Sequence, residues 1–134
     1  MKILKLIALL CLAYAGLVVA FESVLGTLQP AGPSTLVITT TDADGVSHDR
    51  VVSRLESGGQ LFVAANHWPR AWYRRTLENP SVQVVAEGLS GAYTTVPISG
   101  TEYDRVHSEH DLGIVFRVLT GFPPRRLLRL EKNR

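Results

Sequence analysis

The stretch from Pro69 to Val84 most constrains the fold, because it confines a short helix directly in front of a strand. Pro69 suits the first position of a helix, where its missing N–H costs no hydrogen bond. Pro80 stops the helix and disfavours helical backbone at Asn79. The valines that follow at once are typical of a strand. The sequence therefore predicts a helix over residues 69–78 that interrupts a sheet.

The N-terminal segment differs in composition from the rest of the chain, since no charged residue occurs between Lys5 and Glu22. A membrane-spanning helix needs about 20 apolar residues. Counting from Ile3, with Lys5 reaching towards the lipid headgroups, brings the segment close to that length. For residues 1–28 three interpretations stay open: a retained transmembrane anchor, a cleaved signal peptide, and a helix that lies on the membrane or docks in a dimer.

The charges around this segment indicate an orientation. Lys2 and Lys5 both precede it, and the next basic residue is His48. Positive charge stays on the cytoplasmic side of a membrane. We therefore expect a membrane-anchored protein whose body lies on the periplasmic or outer side.

The rest of the chain is long enough for one domain. By composition, residues 29–34 form a linker and residues 35–134 form the domain. The single cysteine, Cys11, excludes an internal disulfide. A formal net charge of +2 gives no indication of nucleic acid. Basic residues crowd the C-terminus, where they either contact anionic headgroups or are solvated: Arg125, Arg126, Arg129, Lys132 and Arg134.

Short β-rich runs separated by turn residues predict five or six strands. Asp42–Gly45 is expected to be a turn in which Gly45 has a positive φ. The segment 60–65 alternates little, which predicts burial on both faces. The predicted strands are 35–41, 48–55, 60–65, 81–86, 92–98 and 126–131, with a turn at 88–91.

Two further helices are expected after the fifth strand. Thr101 is a candidate N-cap for a helix that runs towards His110. Residues 112–119 are mostly apolar, which predicts a largely buried helix. The fold class is therefore α+β, mainly β: a small antiparallel β-barrel with two or three packed helices, preceded by an N-terminal hydrophobic helix.

The candidate functional residues are concentrated where the third strand leads into the first helix of the domain. A helix N-terminus presents free N–H groups to an anion, and Arg70 and Arg74 are spaced to point the same way. Arg50 and Arg54 on a neighbouring strand would complete a basic wall for a phosphate-bearing cofactor. The candidate cofactor-binding residues are Arg54, Asn66, His67, Trp68, Arg70, Trp72 and Arg74.

Each of these residues also has a structural interpretation. Trp72 is spaced to plug the end of a barrel, His67 can be an ordinary loop residue, and the arginines can be plain surface. The sequence has no nucleophile elbow and no dinucleotide-binding glycine pattern. His107 and His110 share a helix face, but two ligands do not make a metal site, and no metal is predicted. An enzyme with this sequence would depend on a cofactor for its chemistry.

Three patterns carry a resemblance to a known family: Gly58-Gly59-x-Leu-x-Val-Ala-Ala, Pro69-x-x-Trp-Tyr, and Asn79-Pro80-x-Val-x-Val. In this order they resemble the deazaflavin-dependent nitroreductases, also called deazaflavin-dependent quinone reductases. The match covers about residues 35 to 98. The family has a split β-barrel fold similar to that of the FMN-binding pyridoxamine-phosphate oxidases.

The resemblance implies hydride transfer from a reduced 8-hydroxy-5-deazaflavin, or alternatively from FMN, to a quinone-like or nitro acceptor. It also implies association with membrane lipid and a possible homodimer. Family members have a longer loop where this chain has only Asn66, His67 and Trp68. A non-catalytic module that binds a flavin, a tetrapyrrole or a lipid is therefore the alternative, and the absence of any cofactor also stays open.

Overall fold

A computed structural model of the chain describes residues 1–29, 31–68 and 70–134. In chain order its elements are α1 (Lys2–Leu28), β1 (Thr35–Thr41), β2 (Ser47–Ser57), β3 (Gln60–Ala65), α2 (Ala71–Glu78), β4 (Ser81–Ala86), β5 (Leu89–Pro97), α3 (Gly100–Glu109), α4 (Ile114–Thr120) and β6 (Arg126–Lys132). The chain divides into two compact units, Met1–Gln29 with Leu112–Pro124, and Pro30–Asp111 with Arg125–Arg134.

The strands close into an antiparallel barrel in the order β1-β2-β3-β6-β5-β4. The last strand of the chain, β6, lies between β3 and β5, with Leu128 opposite both Val63 and Pro97. Closure gives each of the six described strands two neighbours, so none of them has an open edge. The predicted barrel is confirmed, as are the predicted bounds of β1, β3 and β4.

Alternate residues of each strand face the inside of the barrel, as the two-residue period of a strand requires. Inward side chains such as Ile38, Val63 and Val84 are fully buried. The whole interior core comprises Leu36, Ile38, Val52, Val63, Ala65, Trp72, Val82, Val84, Tyr93, Leu128 and Leu130.

Helix α3 covers the outer face of β2, β3 and β6. Val106 of this helix is fully buried and packs in a second cluster with Phe62 and Leu127. Phe62 therefore packs outside the barrel while its neighbour Val63 packs inside, and both are inaccessible to solvent. This confirms the prediction that β3 is buried on both faces.

Helix α2 closes one end of the barrel, because it follows the end of β3 and precedes the start of β4. Its Trp72 packs within the interior core, and the Nε of its Arg75 donates a hydrogen bond of 2.8 Å to the Thr40 hydroxyl near the end of β1. The helix ends before Asn79, as predicted. The predicted role of Pro69 as the first helical residue lies outside the described residues.

Helices α1 and α4 pack on each other in the other unit. The rings of Phe21 and Phe116 meet edge to face at 6.2 Å, and the Tyr14 hydroxyl donates a 2.8 Å hydrogen bond to the Val118 carbonyl. Helix α1 is long and apolar enough to cross a membrane by length and composition, and a signal sequence near an N-terminus meets the same criterion.

Three predictions about the later elements are wrong. Ser99, not Thr101, precedes α3 as its N-cap residue. Helix α4 is not largely buried, because it has only two turns and Ile114 and Val115 are 65% and 70% exposed. Strand β5 begins at Leu89, inside the predicted turn, because Gly91 belongs to the strand and passes close to Lys132. A glycine can therefore mark either a turn or a position inside a strand at which another side chain or backbone comes close.

The β1–β2 turn is held by the side chain of Asp42. Its carboxylate accepts hydrogen bonds from the backbone N–H groups of Asp44 and Val46, and its second oxygen lies 2.8 Å from Nε2 of His48. Gly45 has a φ of +80°, as predicted. The hydrogen bond with His48, and then that with Val46, hold the pKa of Asp42 below its usual 3.8.

Replacing Trp72 by alanine should leave a cavity at the closed end of the barrel and lower the free energy of unfolding by about 3–5 kcal/mol. Leu77→Ala, on the exposed face of the same helix, should change it by less than about 0.5 kcal/mol. Denaturant unfolding of the full chain in non-ionic detergent measures both. Equal losses in the two variants would show that Trp72 does not close the barrel.

Loss of the His48 imidazole should raise the pKa of Asp42 towards 3.8, because the largest cause of the lowered pKa is removed. In the native protein the stabilisation from this lowered pKa is complete above pH 3.8 and is lost as the pH falls through the folded-state pKa. The measurement is a carbon-detected NMR titration of the Asp42 carboxyl in the native chain and in His48→Leu. An unchanged midpoint in the variant would contradict the assignment.

Candidate functional site

The loop between β3 and α2 is anchored by Asn66, the first residue after the strand. Asn66 is 3% exposed. Its Oδ1 accepts a 3.0 Å hydrogen bond from Nε of Arg125, and its Nδ2 lies 3.4 Å from the Ser53 hydroxyl. The side-chain amide is therefore engaged by the protein and fixes the start of the loop.

Arg125 is the hub of this anchor. Its Nη1 donates a 2.7 Å hydrogen bond to the His110 carbonyl and lies 3.2 Å from Nδ1 of His107. The His107 ring stacks on Tyr103 with their centroids 5.5 Å apart, and the Tyr103 hydroxyl donates to the Arg125 carbonyl. One guanidinium thus joins the β3–α2 loop, the end of α3 and the start of β6.

Both sequence interpretations of Arg125, a headgroup contact and a solvated charge at the C-terminus, are wrong, since the residue is 8% exposed. The sequence feature that could have indicated its burial is its position between Pro124 and the alternating apolar residues of β6. His107 and His110 also have structural partners, because Nε2 of His110 lies 2.9 Å from the Glu56 carbonyl oxygen. Among the described residues no group of three possible metal ligands is gathered.

Beyond Asn66, the loop carries the accessible candidate residues. Trp68 is 50% exposed. The Arg70 Nε donates a 2.8 Å hydrogen bond to the His67 carbonyl, which folds the guanidinium back onto the loop. Arg74 lies one turn further along α2 and is exposed. An accessible indole and two guanidinium-bearing side chains therefore share the helix start at this end of the barrel.

The other two candidate residues lie elsewhere. Trp72 is part of the interior core, so its ring is enclosed by protein. Arg54 faces the inside of the barrel opposite Val63 and is directed to the other end, where its Nη1 donates to the carbonyl of Glu87 in the β4–β5 turn. The structure brings Asn66, His67, Trp68, Arg70 and Arg74 into one region and does not bring Arg54 to them.

The end of the barrel that holds Arg54 carries a groove of about 440 Å³. Arg54 is paired with Glu56 at 2.7 Å, and Arg129 with Glu131 at 2.9 Å and Glu102 at 2.6 Å. The hydrogen bond that Arg129 donates to Glu102, followed by those that it donates to Glu131, raises the pKa of Arg129 above its usual value. The sequence reasoning missed this groove, because its residues come from four strands and meet only when the barrel closes.

Comparison with known proteins locates this architecture among solved structures. The heme storage protein HutZ from Vibrio cholerae superposes with a TM-score of 0.60 at 17% identity, over 86% of this chain and 87% of that one. An F420-H2 dependent reductase, FDR-A, superposes with a TM-score of 0.55 at 18% identity, over 73% of this chain and 94% of that one. A structure described as a domain-swapped dimer superposes with a TM-score of 0.60 at 19% identity, over 79% of this chain and 88% of that one.

The chain has the split-barrel fold. No family model matches the sequence, and no curated protein matches it. At identities below 20% the likeness is one of architecture. Split barrels include both a reductase and a heme storage protein, so the chemistry of this one must be argued from its own residues.

Replacing Arg125 by methionine should lower the free energy of unfolding by about 1–3 kcal/mol, because Asn66 and the His110 carbonyl lose their hydrogen-bond donor. Arg126→Met is the matched control: the next residue is exposed and its loss should cost less than about 0.5 kcal/mol. Denaturant unfolding in detergent compares the two. The anchoring role would be contradicted if both variants were as stable as the native chain.

Proposed function

We propose that the chain is a membrane-associated oxidoreductase of the deazaflavin-dependent nitroreductase type. The observation that carries this proposal is the accessible Trp68 beside Arg70 and Arg74, on a loop that Asn66 and Arg125 hold in place. An exposed aromatic face next to guanidinium groups suits a flat ligand that carries phosphate. The F420-H2 dependent reductase among the structural neighbours supports the choice of cofactor.

The residues at this end of the barrel fit such a group. Arg70 and Arg74 would hold the phosphate, the N–H groups at the start of α2 would add donors, and Trp68 would cover the ring system. A reduced 8-hydroxy-5-deazaflavin, or alternatively FMN, would supply a hydride there. The protein contributes binding and orientation, since no candidate general acid or base is needed for the hydride itself.

The acceptor in this proposal is a quinone-like or nitro compound. Helix α1 supports a location at a membrane, where lipid-soluble quinones are found, because it is a 27-residue apolar helix. The two lysines that precede this helix support a barrel on the periplasmic or outer side. A homodimer is part of the proposal too, and the neighbour described as a domain-swapped dimer supports it.

A second candidate function is non-catalytic binding of a tetrapyrrole. The half-buried His67 lies in the same loop, and imidazole is a ligand for heme iron. HutZ, a heme storage protein with this fold, supports this alternative. Both candidates use the same loop, so a single titration separates them.

The titration uses the full chain in non-ionic detergent with reduced and oxidised deazaflavin, FMN and heme, followed by absorbance and tryptophan fluorescence. We expect micromolar binding of the deazaflavin and hydride transfer to a soluble quinone such as menadione. Trp68→Ala and Arg74→Ala should each weaken binding about tenfold, the loss of one stacking or one charge-assisted contact. Arg126→Ala is the control and should bind as the native chain does.

The other outcomes are equally informative. Heme binding that His67→Ala abolishes, without deazaflavin binding, would favour the storage module over the reductase. Arg54→Ala tests the remaining sequence prediction: weaker deazaflavin binding in this variant would move the cofactor to the opposite end of the barrel. No binding of any of these compounds would reject both functions.

A further inference from the structure

We propose that the groove at the open end of the barrel is a binding site for a small amphipathic monocarboxylate, separate from the proposed cofactor site. The groove lies between the ends of β2 and β6 and the starts of β3 and β5, whereas α2 closes the other end. Its volume of about 440 Å³ is within the range of about 300–1,000 Å³ for small-molecule sites.

The floor of the groove carries a polar group that lacks a protein partner. Tyr93 is 3% exposed. Within the described residues its hydroxyl forms no hydrogen bond. The hydroxyl oxygen is not fully enclosed by protein, and Tyr93 lines the groove, so we infer that the oxygen is open to the groove. A tyrosine that is buried to this extent usually places its hydroxyl on a partner. The hydroxyl therefore marks where a ligand atom would be held.

A cationic side chain lines the same groove on the neighbouring strand. Lys132 lies directly opposite Tyr93 in the β5–β6 pairing, and its side chain crosses over Gly91, whose missing Cβ would come within 3.9 Å of the Lys132 Cε. Within the part of the chain that the structure describes, the Lys132 ammonium has no ion-pair partner. The neighbouring arginines of the groove are already paired with Glu56, Glu131 and Glu102.

The lining fixes the class of ligand. The apolar side chains of Leu61, Leu89 and Leu130 form a surface for a compact hydrocarbon body. One unmatched ammonium and one hydroxyl can neutralise and hydrogen-bond one carboxylate. A phosphate monoester would bring a second charge that only paired arginines could meet. The geometry therefore favours a monoanion with an apolar body over a dianion or a neutral compound.

The test is calorimetric titration of 2-naphthoate into the full chain in phosphatidylcholine nanodiscs, with empty nanodiscs subtracted. Tyr93→Phe removes one oxygen and keeps the ring, and Lys132→Met removes the charge and keeps much of the stem. Each should weaken binding about tenfold, and Lys132→Arg should restore most of it. Arg134→Met, on the same exposed tail but outside the lining, should bind as the native chain does.

Three results would overturn the proposal. The first is native affinity in both Tyr93→Phe and Lys132→Met, with thermal unfolding showing that both are folded. The second is binding of 2-naphthylmethanol or 2-naphthyl phosphate as tight as that of 2-naphthoate. The third is displacement of 2-naphthoate by the deazaflavin, which would make the groove part of the cofactor site. Binding of 2-naphthoate that is undisturbed by bound deazaflavin supports two separate sites, and it does not depend on the cofactor proposal being right.

Discussion

The structure depends on the insertion of β6, the last strand of the chain, between β3 and β5. Without it the sheet has two open edges, and the interior side chains of β3 and β5 lose Leu128 and Leu130 from their core. Residues 112–124, which precede the strand in the chain, belong to the other unit. Arg125, immediately before β6, is buried and bonded to Asn66 and the His110 carbonyl. That guanidinium fixes where the chain re-enters the barrel, and so it also fixes the β3–α2 loop.

Closure of the barrel makes its two ends chemically different. At one end Trp72 fills the interior, so only the outer surface of the loop and of α2 can meet a ligand. At the other end the inward positions are taken by Arg54, Tyr93 and Lys132, which leave space between them. The proposed flat cofactor would use the first end, where Trp68 offers an accessible aromatic face. A small ligand is suited to the second, because a groove of about 440 Å³ there is lined by both polar and apolar side chains.

Much of the fold could be predicted from local patterns in the sequence. The β-branched runs and the Asn79-Pro80 stop act within a few residues, so the strands and the end of α2 followed from them. The exposure of α4 did not follow, because an apolar two-turn sequence looks the same whether one neighbour or several cover it. The burial of Arg125 depends on a partner at position 66, and the groove depends on β2 and β6 meeting residues from two other strands. Such contacts between distant positions are set by the closed topology, which no local pattern in this sequence encodes.

The packing of α1 on α4 limits how residues 1–28 can serve as an anchor. At 1.5 Å per residue a membrane crossing of about 30 Å uses some twenty residues, which from Lys2 reaches Phe21. Tyr14 and Phe21, the residues that contact α4, would then lie within or at the edge of the crossing. Helix α4 would share that depth, and its exposed Ile114 and Val115 would face lipid. An anchor built from α1 would therefore have to include α4.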